Sequence, residues 1–222
     1  AALVTERIPW GTEVLLNRDL SEAQKLIEAD DELDVLAIEL EERCYQTLVL
    51  QAPMAGDMRA IISAIHLVSE LERSGDLMVN VAKGMRRLYN VEIDPKLRGL
   101  ISRMATEAQK LMVVAVDSYV EGDDGKAAAL DDMDDRLDTL HKEYIQAIFE
   151  SHKGAGSDLE AGVQLALIGR YYERIGDHAV NIGERVLYMV TGWLPEKTGS
   201  ARQRLREAEA QGEGYDDTTG GP

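Results

Sequence analysis

Leu71-Glu72-Arg73-Ser74-Gly75-Asp76-Leu77-Met78-Val79-Asn80-Val81 returns 101 residues later as Tyr172-Glu173-Arg174-Ile175-Gly176-Asp177-His178-Ala179-Val180-Asn181-Ile182. The Glu, Arg, Gly, Asp, Val and Asn positions coincide. A weaker echo at an offset of 104 pairs Asp30-Asp31-Glu32-Leu33-Asp34 with Asp134-Asp135-Arg136-Leu137-Asp138. Self-similarity at a fixed period marks a duplicated structural unit. The two halves are therefore expected to be copies of one fold.

What the unit is follows from periodicity. Between Met54 and Tyr89, Ile61, Ile65, Val68, Leu71, Met78 and Met85 recur at three- or four-residue steps or their multiples, the mark of one buried helical stripe. Nothing alternates apolar and polar over a strand length. The spacing predicts six helices, at 1–17, 20–51, 54–90, 95–121, 123–151 and 157–191. Asn17-Arg18-Asp19, Gln51-Ala52-Pro53, Asn90 to Pro95, Gly122-Asp123-Asp124-Gly125 and Lys153-Gly154-Ala155-Gly156-Ser157 punctuate them, with Asp19, Asp123 and Ser157 as N-caps. The fold class is thus all-α: two tandem pseudo-symmetric three-helix bundles, 1–91 and 92–193, followed by a disordered acidic tail at 194–222. The fourth helix starts near Pro95, which maps nine residues before Ala1, so helix one is expected to be incomplete. Pro9 and Gly11 are local weaknesses within it.

The 222 residues carry 41 acidic against 24 basic side chains, a formal charge of −17. Such a balance argues against nonspecific binding to nucleic acid or anionic lipid. A single cysteine, Cys44, excludes a disulfide framework and a multi-cysteine zinc site and suits a reducing compartment. There is no run of 18 or more apolar residues, and the Ala1–Arg7 stretch does not read as a signal peptide. A cytoplasmic protein is expected.

The acid is patterned. Each half holds two i, i+4 carboxylate pairs: Asp30/Asp34 with Glu72/Asp76, and Asp134/Asp138 with Glu173/Asp177. Side chains four apart share a helix face. The midpoint of Asp34 and Glu72 is Pro53, and that of Asp138 and Glu173 falls between Ala155 and Gly156, both in turns. Antiparallel helices joined there would set the pairs side by side at one height. Four carboxylates so placed repel one another and must protonate, recruit bases or bind cations. Arg73 and Arg174 point about 100° away on a helix, so polyvalent cations are the expected answer. An all-oxygen donor set favours hard ions such as Mg²⁺, Mn²⁺, Ca²⁺ or Fe³⁺. Gly75 and Gly176 would let the helices approach closely. Asn80 and Asn181 read either as further oxygen ligands or as seam hydrogen-bonders. His141 and His178 read as seam or exposed residues, His66 and His152 as a helix and a turn residue with no match in the repeat, Asp57 as a first-turn acid, and Cys44 as small core filler.

The two signature segments, with Leu50-Gln51-Ala52-Pro53-Met54-Ala55-Gly56-Asp57-Met58-Arg59 and Arg170-Tyr171-Tyr172, resemble those of PhoU proteins over roughly residues 12–192. The resemblance implies two three-helix bundles with metal clusters, iron in some members, on Asp30, Asp34, Glu72, Asp76, Asp134, Asp138, Glu173 and Asp177. It implies a non-enzymatic cytoplasmic negative regulator of phosphate uptake and phosphate-starvation signalling, peripherally associated with membrane complexes. The implied partners are the ATPase subunit of the phosphate ABC transporter and a sensor histidine kinase, with a homodimer admitted. Two other classes compete. A carboxylate-bridged metal enzyme of ferritin-like type would carry Glu-x-x-His, whereas Gly75 and Gly176 stand three residues after Glu72 and Glu173. A metal-free helical adaptor would merely display its acids.

Overall fold

A computed structural model describes residues 1–151 and 158–192, and among these the only regular structure is helix. In chain order the helices are α1 (Ala2–Asn17), α2 (Leu20–Glu28), α3 (Asp30–Gln51), α4 (Gly56–Arg87), α5 (Pro95–Glu121), α6 (Asp124–Ser151) and α7 (Leu159–Thr191). Five of the six expected segments keep their identity. The second, 20–51, is interrupted at Ala29, whose carbonyl accepts from the Arg7 guanidinium. Asp19 caps α2 by accepting from the Ser21 and Glu22 amides, and Asp123 accepts from the Lys126 amide at the start of α6. Asp158 caps α7; Ser157 and the expected tail at 194–222 lie outside the described residues.

Helices α5, α6 and α7 pack on one another as a three-helix bundle, while α1, α2 and α3 surround α4. The halves join where α4 lies against α7, with α1 also against α5. The α4–α7 pair is antiparallel. Arg59 Nε and Ser63 Oγ near the start of α4 donate to the Met189 and Arg185 carbonyls near the end of α7, at 3.1 Å each. At the other end Gly84 backs onto Ile168. The core fills this junction with Met78, Val81, Met85, Met104, Met112, Ile168, Tyr172, Ile175 and Ile182, all fully buried.

Pro9 and Gly11 have structural accounts. Proline cannot donate to the carbonyl four residues back, and Thr5 O instead accepts from Gln109 Nε2 of α5 at 3.0 Å. A Cβ at Gly11 would stand 2.5 Å from the Met78 methyl group, so glycine lets α1 close on α4. Next to it Thr12 Oγ1 donates to Ile8 O and meets the Tyr172 hydroxyl at 2.8 Å, a buried link between the halves.

The expected stripe on α4 is buried only in part. Leu71, Met78 and Met85 are in the core, whereas Ile61, Ile65 and Val68 are half-buried. On α3 only Leu33 is buried, and Val35, Ile38, Val49 and Leu50 are exposed. The cause is geometric. Among the described residues α3 packs chiefly on α4, while α1 packs on α2, α4 and α5. The start of α4 lies against α5 and α7, and the outer face of α3 has no helix over it among the described residues. Cys44 lies on α3 and is half-buried, not core.

Candidate functional site

The carboxylate pairs sit where the outer helix of each half crosses the inner one. At Gly75 on α4, a Cβ would collide with Leu33 of α3 and come within 3.8 Å of Asp30 Oδ1. At Gly176 on α7 it would overlap Asp134 Oδ1 and stand 2.7 Å from a Leu137 methyl. The two crossings match in their Asp and Leu residues, and both glycines serve close approach. Asp34 and Glu72 line one groove with Ala37, Ile38, Glu41, Val68 and Ser69, side by side as the Pro53 midpoint requires.

The acids of each half feel one another. Burial, then Asp76, Asp34 and Asp30, push the Glu72 carboxyl above its ordinary value. Asp134 is pushed up to about 6 by burial and then by Asp138 and Asp177. All four second-half acids are half-buried, whereas Asp34 and Asp76 in the first half are exposed. Among the described residues, no three His, Cys, Asp or Glu side chains converge on a point as they stand. An ion would have to draw them together.

Basic side chains do reach the acids, contrary to the expectation drawn from Arg73 and Arg174, which are exposed. In the first half Arg7 of α1, 4 % exposed, donates from Nη1 to Asp30 Oδ1 at 2.7 Å and from Nη2 to Ala29 O. Even so, burial outweighs Arg7 and leaves the Asp30 pKa raised. In the second half Arg170, half-exposed, abuts the Glu173 carboxylate and lies 3.6 Å from Asp177 Oδ2. Arg170 was legible as an i−3 neighbour of Glu173 on the same face. Arg7 had a fainter signal: a charge set among Val4, Ile8 and Gly11 on a buried stripe.

Among the described residues, buried side-chain atoms without a hydrogen bond concentrate in the second half. Asp134 Oδ1 and His141 Nε2 are buried with no hydrogen bond, while Glu173 Oε2 has the Arg170 guanidinium against it. His141 follows Asp138 by three residues and packs over Gly169. Burial, then Arg170, hold its pKa below the ordinary histidine value, so the ring is neutral and offers a lone pair. Buried polar atoms without partners cost stability, and an oxygen-rich seam of this kind is chemically fitted to a hard cation. The second seam fits such an ion; in the first, a guanidinium already holds Asp30.

The junction of the halves carries a third polar group that the sequence did not announce. Glu70 of α4 accepts from His178 Nδ1, whose side chain is 6 % exposed, and from Asn181 Nδ2 at 3.3 Å. Burial pushes the Glu70 carboxyl up, but the His178 and Asn181 hydrogen bonds outweigh it and hold the pKa below its ordinary value. Asn181 is thus engaged as a seam hydrogen-bonder, and His178 as a buried seam residue.

Asp134 yields a pH-dependent prediction. Its folded pKa of about 6 exceeds the ordinary 3.8, so the fold disfavours the charged form. That penalty is complete above pH about 6 and disappears as pH falls through 6 towards 4. Asp134→Asn should therefore stabilise the chelator-treated protein by about 1–2 kcal/mol near pH 7.5, after allowance for partial exposure, and much less near pH 4. Urea unfolding at both pH values checks it; equal effects would refute it.

The PhoU domain profile matches residues 4–85 and 101–186, one copy on each half. The chain belongs to the PhoU family. Relatives in that family include the "Phosphate-specific transport system accessory protein PhoU homolog 1" of Mycobacterium tuberculosis, 36 % identical over 185 residues, covering 83 % of each chain. The Thermotoga maritima protein of the same name is 31 % identical over 214 residues, 96 % of this chain and 90 % of that one. Among solved structures, PhoU from Pseudomonas aeruginosa superimposes with a TM-score of 0.80 at 28 % identity, over 86 % of this chain and 92 % of that one. The PhoU structure from Streptococcus pneumoniae gives 0.79 at 25 %, over 87 % and 90 %. The matched segments contain both glycine crossings, Gly75 and Gly176 with their acids.

Proposed function

We propose that this chain is an accessory regulator of phosphate uptake that holds phosphate-starvation signalling off when phosphate is plentiful, as an adaptor and not a catalyst. It would link the ATPase subunit of a phosphate ABC transporter to a sensor histidine kinase at the cytoplasmic face of the membrane. The observation that carries this reading is the duplicated PhoU match over both halves, with relatives named as accessory proteins of phosphate-specific transport. The surface supports it: an acid excess suits basic patches on partners and speeds encounter with them. Among the described residues no helix is long and apolar enough to cross a membrane, as a peripheral adaptor requires. A hard cation held by Asp134, Asp138, Glu173 and Asp177 would relieve their mutual repulsion and tie α6 to α7. Pull-down with the full chain from phosphate-replete cells should recover the transporter ATPase and the sensor kinase. Recovery of neither, replete or starved, would refute the adaptor reading.

One observation favours a second reading, a carboxylate-bridged metal enzyme. The carboxylate-x-x-His spacing absent after Glu72 and Glu173 is present as Asp138 and His141, with Nε2 unpaired. Oxygen consumption by the iron-loaded protein would bring that reading forward.

A further inference from the structure

The two carboxylate seams are copies, yet a buried arginine enters only one of them. Helix α1 ends at Asn17 and α5 at Glu121, an offset of 104 that places Leu111 where α1 has Arg7. Leu111 is buried and apolar, and it brings no charge to the Asp134–Gly176 crossing. Arg7 lies at the Asp30–Gly75 crossing, its Nη1 2.7 Å from Asp30 Oδ1 and 3.3 Å from where a Gly75 Cβ would stand. We propose that Arg7 is the built-in cation of the first seam, so that metal loads the second seam alone. The inference rests on the metal reading of the carboxylates given above.

Three physical points support it. Arg7 is 4 % exposed and also bound to the Ala29 carbonyl, so displacing it would strand a buried charge and free a carbonyl at the α2–α3 junction. A metal ion placed beside it would meet a like charge in a poorly solvated seam. The arginine of the second seam differs: Arg170 is 48 % exposed and can turn into water when an ion takes Glu173 and Asp177. Asp134 Oδ1 and His141 Nε2, buried without a hydrogen bond, both lie in the second half, and the first-half counterpart of His141 is Ala37. A duplicated motif has thus diverged into one seam closed by a buried guanidinium and one whose guanidinium is half-exposed and displaceable.

The test titrates the full chain with Mn²⁺, counting bound ion by the loss of the free-Mn²⁺ EPR signal and following the melting temperature alongside. The parent should bind, and Asp134→Asn/Glu173→Gln should abolish binding. Asp34→Asn/Glu72→Gln, which leaves the Arg7–Asp30 pair intact, should retain the parent stoichiometry. Arg7→Met should raise the stoichiometry above the parent. Binding lost from the first-half pair, or lost equally from both pairs, overturns the assignment of Arg7 while leaving the metal reading in place. No binding by the parent overturns both. The two carboxylate pair variants decide the matter even if Arg7→Met does not fold.

Discussion

Glu70→Ala should lower the unfolding free energy by about 2–3 kcal/mol and the melting temperature by roughly 4–12 °C. The acceptor it removes serves a histidine that is almost wholly buried, and His178 Nε2 already lacks a partner. Without Glu70 both ring nitrogens stand unsatisfied in the seam, and the cost is the desolvation of a polar ring with nothing in return. The repeat supplies the compensating change. The first-half counterpart of His178 is Leu77, which is buried, so His178→Leu should be tolerated on the same helix position and should rescue Glu70→Ala. A double-mutant cycle read by urea unfolding checks the argument: the double variant should be more stable than Glu70→Ala alone. Additive losses would show that Glu70 and His178 contribute separately.

The sequence exposed the fold where one periodicity was copied twice and hid it where one side chain acts across the chain. The offset between the segments starting at Leu71 and Tyr172 gave the two bundles, and the turn midpoints gave the height of the acids, because both are local counts along helices. Ala29 could not be read as a break: its neighbours favour helix, and the interruption involves Arg7, 22 residues away. Glu70 looked like any helical acid, since its partners lie 108 and 111 residues on. The reading of Ile61, Ile65 and Val68 as one buried stripe with Leu71, Met78 and Met85 held only in part for a related reason. A stripe specifies which face is apolar, not how far the neighbouring helix extends along it.

These contacts, with that of Arg170, matter because they break the symmetry that the repeat implies. Arg7, Glu70, Arg170 and His178 each occupy a position whose counterpart in the other half is a different kind of residue: Leu111, Tyr171, Ser69 and Leu77. The buried bridge of Glu70 with His178 therefore forms once and not twice. It stands two residues from Glu72 and one from Asp177, so the rigid junction is built into the same helical turns as the two seams. For an adaptor with two halves, such divergence gives each half its own surface and its own electrostatics while the shared glycine crossings preserve the frame.

Gly183→Val should cost about 3 kcal/mol, at the upper end of overpacking penalties. A Cβ there would stand 2.9 Å from the Ala127 carbonyl oxygen and 2.6 Å from a Leu130 methyl. Leucine can change rotamer, but the carbonyl belongs to the first turn of α6 and moves only with the helix. The second branch of valine adds a further methyl group to the same gap, and α6 must shift off α7 along the line that also carries the Asp134–Gly176 crossing. The loss should therefore appear in unfolding free energy and in any cation affinity of the second seam together. Gly99 provides the control. It is exposed on α5 with nothing within 4 Å of its Cβ position, so Gly99→Ala should stabilise the protein by about 0.5–1 kcal/mol through helix propensity alone. Opposite signs at two helical glycines, measured by the same urea titration, would show that close approach and not glycine itself sets the cost; a loss at both positions would count against it.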